Sequence, residues 1–513
     1  MDEATEEHAF STNKPKTTRR TVHEVAPEDR VPTGQKFAYA MGVVSDHFAQ
    51  FAINAFLMPF FNLALGMSPA LIGIAQGIAR LWDAINDPLI GSISDHWKGR
   101  WGRRRPFIFV GAFAIGIVFP MVWLVPTSWD DRSLMIWLII ALLCYYTAYS
   151  LLSVPYESLG IELTPDYQER TNVFTLRSYV VQIFDFGIHW LLPLATFFAT
   201  GMATEQIAGE PLVEGTEAFA ERLKELTQLR LADAIPYLAI GVGAMIVVTG
   251  IIPAIFCVER YAGVARTQRS ENPLKSIWSL LQNGPFLIAM GSIAIFLFGV
   301  TTTGSFGLYV HAYYIYDSDI EAAAYLGGVH STVNLAFGLV GAAVIHRLSK
   351  FIDKKPLLIG CVVVMLLSTL AMIWTYQPGR PWLTLVQRPT LAIASTGFWV
   401  LIISMRADVG DWDEFVNGRR REGVIAALGN WLVKLAITLA TVAGGVLLEY
   451  YIGFDVELRG DQAEGTLPKL KWSFIAIQTA GICVVLVLLM LYPLTRERLQ
   501  DVRQQLEARR SKV

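Results

Sequence analysis

Gly91 to Pro106 reads GSISDHWKGRWGRRRP, and Gly341 to Pro356 reads GAAVIHRLSKFIDKKP. Both stretches share one frame: a glycine near the end of an apolar run, a basic cluster, then a proline that opens the next run. The two copies begin about 250 residues apart. That recurrence argues for two halves related by a parallel duplication, each half contributing the same number of helices in the same order.

Working outward, apolar runs of the roughly 20 residues that a membrane span requires recur along almost the whole chain. They fall near 37–62, 69–93, 106–125, 133–158, 174–200 and 235–257, then near 283–309, 322–346, 356–376, 387–406, 424–451 and 472–493. Of 513 residues, 53% are hydrophobic and 17% charged. Soluble domains carry about a quarter charged residues, so the composition points at lipid. The expected fold class is an all-α membrane protein of twelve helices in two six-helix halves around a central cavity. The expected units are a disordered tail (1–35), a first half (36–258), a central loop (259–282), a second half (283–495) and a basic tail (496–513). The segment 201–234, with EAFAERLKELTQLRLADA, reads as a surface helix in a loop. The net charge of −2 gives no footprint for nucleic acid. Cys144, Cys257, Cys361 and Cys483 lie in or beside apolar runs without metal or disulfide spacing, and read as packing residues.

Orientation follows from where Lys and Arg sit in the short loops. Arg100, Arg103, Arg104 and Arg105 follow the second run; Arg266, Arg269 and Lys275 lie between the sixth and seventh. Arg347, Lys350, Lys354 and Lys355 follow the eighth, Arg419 to Arg421 precede the eleventh, and Arg503, Arg509 and Arg510 end the chain. All share one side if both termini are cytoplasmic in a plasma (inner) membrane. The N-terminal tail has no apolar core and so is no signal peptide.

The second run contains LWDAINDPLIG. Asp83 and Asp87 are four apart and share one helical face, with Asn86 at its edge. One acid at the bilayer centre costs about 2.5–3.5 kcal/mol, and two repel. One reading is a pair neutralised by Arg80 or by protonation and serving helix packing. The other is a site for Na⁺, which takes oxygen ligands, or for H⁺. Pro88 removes a backbone donor and offers a freed carbonyl as a further ligand. At the matching repeat positions stand Val333 and Phe337. The fold itself therefore does not demand acids there.

LWDAINDPLIG, RWGRRRP, VPYESLGIELTPDYQERT, RADVGDWDEF and the Lys434 segment GNWLVKLAITLATVAGG together resemble the glycoside–pentoside–hexuronide:cation symporters of the major facilitator superfamily, of which the melibiose permease is a member. The resemblance implies a secondary symporter that imports a sugar or glycoside with Na⁺ or H⁺, needs no other cofactor and works as a monomer. By position it places the cation on Asp83 and Asp87, with Na⁺ as the metal if sodium couples, and puts Asn86, Ser150 and Ser153 around it. Ser153 stands where the melibiose permease carries a third acid, and Glu157 where it carries a stacking tryptophan. These departures leave H⁺ coupling open and argue against the same galactoside specificity. The resemblance also places Asp46, Arg177, Tyr149 and Lys434 at the substrate.

Other residues are read directly. Asp46 and Arg177 suit a clamp on vicinal hydroxyls, or a salt bridge between spans. Lys434 lies well inside its span and needs a partner acid. Asn430 and Trp431 share its face and offer stacking and hydrogen bonds. Glu157 either supplies charge near the substrate or sits at the cytoplasmic mouth. Asp408 and Asp411, with Asp413 and Glu414, face the basic loops. With Asp95, Arg100, Arg103 and Arg104 they read as gating charges, or as a solvated surface. His47 reads as a packed histidine. An amphiphile carrier for lysophospholipids and a non-transporting sensor on the same scaffold are the competing readings. An enzyme is not expected, because no nucleophile–base set, metal motif or phosphate loop is present.

Overall fold

The structure, a computed structural model, describes residues 27, 29–259, 278–418 and 422–510. The first half comprises α1 (Thr33–Met58), α2 (Pro69–His96), α3 (Arg105–Met121), α4 (Asp131–Glu162), α5 in two segments (Tyr167–His189 and Leu191–Ile207) and α6 (Glu217–Phe256). The second comprises α7 (Gly284–Tyr309), α8 (Ile320–Leu348), α9 (Lys354–Thr375), α10 (Arg388–Asn417), α11 (Glu422–Val446) and α12 (Thr466–Met490); a terminal helix, α13 (Arg496–Arg510), follows. The duplication is visible in detail. α1 and α7, the first helices of the two halves, each run on into a π-helical turn, Pro59–Ala64 and Val310–Ile315.

Local chemistry sets the helix starts. Ser68, Asp130, Asp166, Thr216, Asn283 and Asp319 each accept a backbone N–H of the first turn of α2, α4, α5, α6, α7 and α8, which satisfies one of the orphan donors there. Gly418 ends α10 in the left-handed conformation, with φ 69°. α2 passes through Pro88 without a break, so the expected loosening of that helix is not seen.

Among the described residues nine helices, α4 to α12, are long and apolar enough to cross a membrane, and α3 is a shorter apolar helix. The remaining two, α1 and α2, carry buried polar side chains instead: Ser45 and Asp46 on α1, Gln76, Asp83, Asn86 and Ser94 on α2. α2 shows how the two demands are met. Leu81, Ile85, Leu89 and Ile93, four apart, are exposed as a lipid-facing stripe, while Asp83 and Asn86 are buried on the other side.

One expectation is corrected. The segment 217–234 is not a separate surface helix but the first half of the 40-residue α6. The helix passes through Pro236, where the charged segment meets the apolar run, without a break. Leu226 is buried against Ala203 and Ile207, with Phe219 and Leu223 packed beside it, so the helix extends beyond the membrane. The N-terminal tail also ends earlier than expected. Val31 N–H donates to Glu169 Oε1 at 2.8 Å, and Lys36 pairs with the same carboxylate at 2.7 Å. Residues 1–26 and 28, the loop charges Arg266, Arg269 and Lys275, and Arg419 to Arg421 lie outside the described residues. Cys257 and Cys361 are buried; Cys144 and Cys483 are exposed.

The halves meet along two seams, α2 with α11 and α5 with α8. At the first, small residues let backbones close up. A Cβ on Gly445 would sit 2.2 Å from the Pro69 carbonyl, so only glycine fits there. The polar bridges between halves lie at this distal end, away from the chain termini, or at mid-depth. Glu449 accepts from the Ser68 hydroxyl and from Ala70 N–H at 3.0 Å; Tyr309 donates to Asn62 at 2.5 Å. Thr200 donates to Glu321 at 2.5 Å, Lys224 to the Asp317 carbonyl at 2.7 Å, and Arg459 pairs with Glu225 at 3.0 Å. These contacts seal the distal end; at the end nearer the termini the ion pairs given among the described residues run within each half.

Gly445→Val should wedge that seal apart. A cysteine at Ala70 should then react at least ten-fold faster with an impermeant maleimide supplied on the distal side than in the Ala70→Cys protein alone. Equal rates would show that the close approach at Gly445 does not hold the seal.

Candidate functional site

At mid-depth on the α2–α11 seam, Lys434 Nζ donates to Asp83 Oδ2 at 2.8 Å and to Asp87 Oδ2. The Ser150 hydroxyl on α4 stands 2.7 Å from Asp87 Oδ1 and 3.4 Å from Asp83 Oδ1. Helical geometry makes this possible: the two acids are one turn apart on α2, so both face α11 and one ammonium set between them reaches both. Asp83 is sealed, with 4% of its side chain exposed, whereas Asp87 and Lys434 keep 29% and 30%. The site therefore has a dry side and a side that solvent reaches. Asn86, 4% exposed, lies beside it with its amide nitrogen unpartnered.

Arg80 does not neutralise the acids. Its guanidinium lies over the Tyr146 ring, 5.3 Å from the centroid, and among the described residues it makes no ion pair. The neutralising charge comes from the other half of the protein. Two carboxylates, a hydroxyl and an amide form an oxygen-rich set that suits a hard cation, given an amide rotation at Asn86. In this state an ammonium stands where that cation would bind.

A second group lies toward the terminal end. Arg177 on α5 pairs with Glu157 at 2.5 Å and, more loosely, with Asp46 at 3.6 Å. Its guanidinium also lies near the Tyr156 and Phe174 rings, 5.6 and 5.9 Å from their centroids. Asp46 is buried, and its Oδ1 has no partner. Tyr149 is buried and accepts from Ser153 at 3.3 Å. Ser153 is thus placed with the Asp46 group, its hydroxyl donating to Tyr149, whereas Ser150 is the α4 hydroxyl at Asp83 and Asp87. Trp431 and Asn430 are exposed on the Lys434 face, one turn toward the terminal end.

The residues that the sequence reads as gating charges or solvated surface fall into two clusters, one in each half. Arg104 pairs with Asp95, and Arg103 with Glu162 at 2.5 Å; the Glu259 carboxylate accepts the backbone N–H groups of Arg103, Arg104 and Arg105. Arg100 is exposed. In the second half Lys354 pairs with Asp408 at 2.7 Å, and Asp411 is half-buried. His47, read as a packing residue, instead bonds Asp185 at 2.8 Å, and His189 stands 3.7 Å from that carboxylate. Asp185, Glu162, Glu259 and Glu449 escape a sequence reading. Of these only Asp185 carried a usable signal, at i+8 from Arg177 and so on the same α5 face.

Residues 38–496 match the family described as MFS/sugar transport protein. The chain belongs to that family, in its glycoside–pentoside–hexuronide:cation symporter branch. It is 25% identical to an uncharacterized symporter of Synechocystis sp. over 92% of this chain and 96% of the relative. It is 22% identical to the isoprimeverose transporter of Lactiplantibacillus pentosus over 83% and 81%. Its fold is similar to the inward-facing, unoccupied crystal structure of a bacterial homolog of the human lysosomal transporter Spinster, with TM-score 0.60 and 14% identity over 93% and 98% of the two chains. The chain is a multi-pass, cation-coupled symporter of the major facilitator fold and not an enzyme.

Removing one partner of a buried ion pair leaves an uncompensated charge, at a cost of about 3–5 kcal/mol. Lys434→Ala should therefore melt well below the wild type in choline chloride at pH 8. Na⁺, or acidification if the coupling ion is H⁺, should restore more of its stability than either adds to the wild type. Equal cation effects on the two proteins would remove the ammonium from the cation's place.

Proposed function

We infer that the protein imports a sugar or glycoside together with Na⁺ or H⁺, and that the cation and Lys434 take turns on Asp83 and Asp87. The observation that carries this reading is the ammonium of one half clamped by two carboxylates of the other. A cation arriving between the acids frees Lys434, and with it one tie between α2 and α11. Coupling then needs no long relay, because the ion site is itself part of the seam that must part. With both termini cytoplasmic, the sealed distal end faces outward and this state is inward-facing, poised to release substrate and ion into the cell.

Asp46, Arg177 and Glu157 form the sugar clamp on this reading. A guanidinium fork flanked by carboxylates offers donors and acceptors to vicinal hydroxyls. Asp46 Oδ1 already lacks a partner, and a sugar hydroxyl would supply one. Tyr149, Asn430 and Trp431 line the approach from the terminal side. The relative named an isoprimeverose transporter supports a sugar as cargo. One cation moving down 100 mV supplies about 2.3 kcal/mol, enough for roughly 50-fold accumulation at 1.4 kcal/mol per decade. The protein acts as a monomer on this reading, since ion site and clamp are complete within one chain.

Uptake into proteoliposomes, with Na⁺ and pH gradients imposed separately across a sugar panel, tests the proposal. One gradient should drive accumulation in the wild type, and Asp87→Asn should abolish it while leaving downhill exchange. Uphill uptake by Asp87→Asn at the wild-type rate would sink the coupling role. Arg177→Ala should lower sugar affinity at least ten-fold at unchanged expression. Gradient-driven uptake of lysophospholipid with no sugar uptake would assign the protein to amphiphiles instead.

A further inference from the structure

The duplication supplies an internal comparison at the terminal end. In the first half the Glu259 carboxylate, just beyond α6, accepts the backbone N–H groups of Arg103, Arg104 and Arg105 at 2.8, 2.7 and 3.1 Å. It thereby satisfies the start of α3. The Arg105 side chain completes the joint, donating to the Ala254 and Ile255 carbonyls at the end of α6 at 2.6 and 2.8 Å. The counterparts, 250 residues on, are Asp353, Lys354 and Lys355 at the start of α9. Lys355 repeats the part of Arg105: it donates to the Met490 and Tyr492 carbonyls at the end of α12, at 3.0 and 2.8 Å. The carboxylate is what the second half leaves out. Glu259 follows Ala254 by five residues and Ile255 by four; the same steps from Met490 and Tyr492 reach Thr495 and Arg496, a hydroxyl and a cation.

A pocket of 440 Å³ stands where that carboxylate would be. The start of α9, the loop before it, α10 and the α12–α13 junction enclose it, with Lys350, Lys354, Lys355 and Arg496 set against Asp353 and Asp408. Neither acid takes the part of Glu259. Asp353 turns to Arg496 at 3.0 Å and makes no cap bond to α9, and Asp408 pairs with Lys354 at 2.7 Å. Among the described residues, no carboxylate accepts the first N–H groups of α9. Tyr492 also lines the pocket; it is 2% exposed, and its hydroxyl is buried without a partner. The cations outnumber the acids by two. Around the mouth, at the ends of α8 and α12, Phe351, Ile352, Met490 and Leu491 are exposed.

We propose that this cradle binds the phosphate of an anionic phospholipid from the leaflet at the terminal end, in the place that Glu259 fills in the first half. Open N–H groups at a helix start, together with lysines and an arginine, favour an anion. The surplus of cations favours a headgroup with net negative charge over a zwitterionic one. The exposed apolar rim suits acyl chains, for which a soluble anion has no use. Bound there, the lipid joins the start of α9 to the α12–α13 junction as Glu259 joins α3 to α6, so the membrane completes the second half. The inference goes beyond the symport reading and is independent of the cargo and of the coupling ion.

Binding of dioleoylphosphatidylglycerol and dioleoylphosphatidylcholine to the purified full-length protein, followed by native mass spectrometry, tests it. The phosphatidylglycerol should bind at least ten-fold more tightly, and excess inorganic phosphate should not displace it. Arg496→Glu, which returns a carboxylate to the joint, should bring the two lipids to within three-fold of each other. Arg347→Gln removes an exposed cation of the same loop region outside the pocket and should keep the preference. Equal affinities in the wild type, displacement by phosphate, an undiminished preference in folded Arg496→Glu, or an equal loss in Arg347→Gln would overturn the lipid cradle. The wild-type comparison needs no variant, so a misfolded Arg496→Glu does not shield the idea. None of these outcomes bears on sugar symport.

Discussion

One ammonium held between two carboxylates is the interaction on which the rest of this structure turns. Asp83 and Asp87 cannot share a helix face inside a membrane as a bare pair, because each charge costs several kcal/mol and they repel. Lys434 resolves the conflict from the opposite half of the protein. The consequence is mechanical as well as electrostatic. The charge balance of α2 can be met only while α11 lies beside it, or while some other cation takes the ammonium's place. An ion that binds here therefore acts directly on the packing of the two halves.

The surrounding structure fits that logic. Seals between halves are concentrated at the distal end, where Gly445 admits the Pro69 carbonyl and Glu449 caps the start of α2. At the terminal end the described ion pairs tie each half to itself: Arg103 and Arg104 to Glu162 and Asp95, Lys354 to Asp408. These clusters keep each half rigid near the open end. Alternating access then becomes a rocking of two stiff bodies about the mid-depth ion site.

Much of the fold was legible from the chain. The twin basic loops gave the duplication, and apolar runs placed most helix ends to within a few residues, because lipid enforces length and polarity more strictly than water does; α5 extends seven residues past its run at each end and α10 eleven past its C-terminal end. The segment 217–234 was instructive: it carries charge and is followed by Pro236, yet it continues α6, since its apolar edge at Leu226 packs on Ala203 and Ile207. The acid pair was legible from its cost. Its partner was half-legible: Lys434 announced a need for an acid, but a contact across about 350 residues of chain leaves no local trace. Glu162, Glu259 and Glu449 were silent for the same reason. Their roles come from tertiary proximity, and a lone acid near a helix end looks like any solvated one. On α4 the Ser150 hydroxyl faces Asp87 of α2, while the Ser153 hydroxyl donates to Tyr149 one turn back on the same helix.

The exchange of Lys434 for the coupling ion is the claim everything else leans on, and a structure determined at saturating cation and substrate tests it most directly. The account predicts Lys434 Nζ withdrawn beyond hydrogen-bond reach of both carboxylates, with density between Asp83 and Asp87 where the ion is Na⁺ and none where it is H⁺. A cation bound elsewhere, with the ammonium still clamped between the two carboxylates, would contradict it.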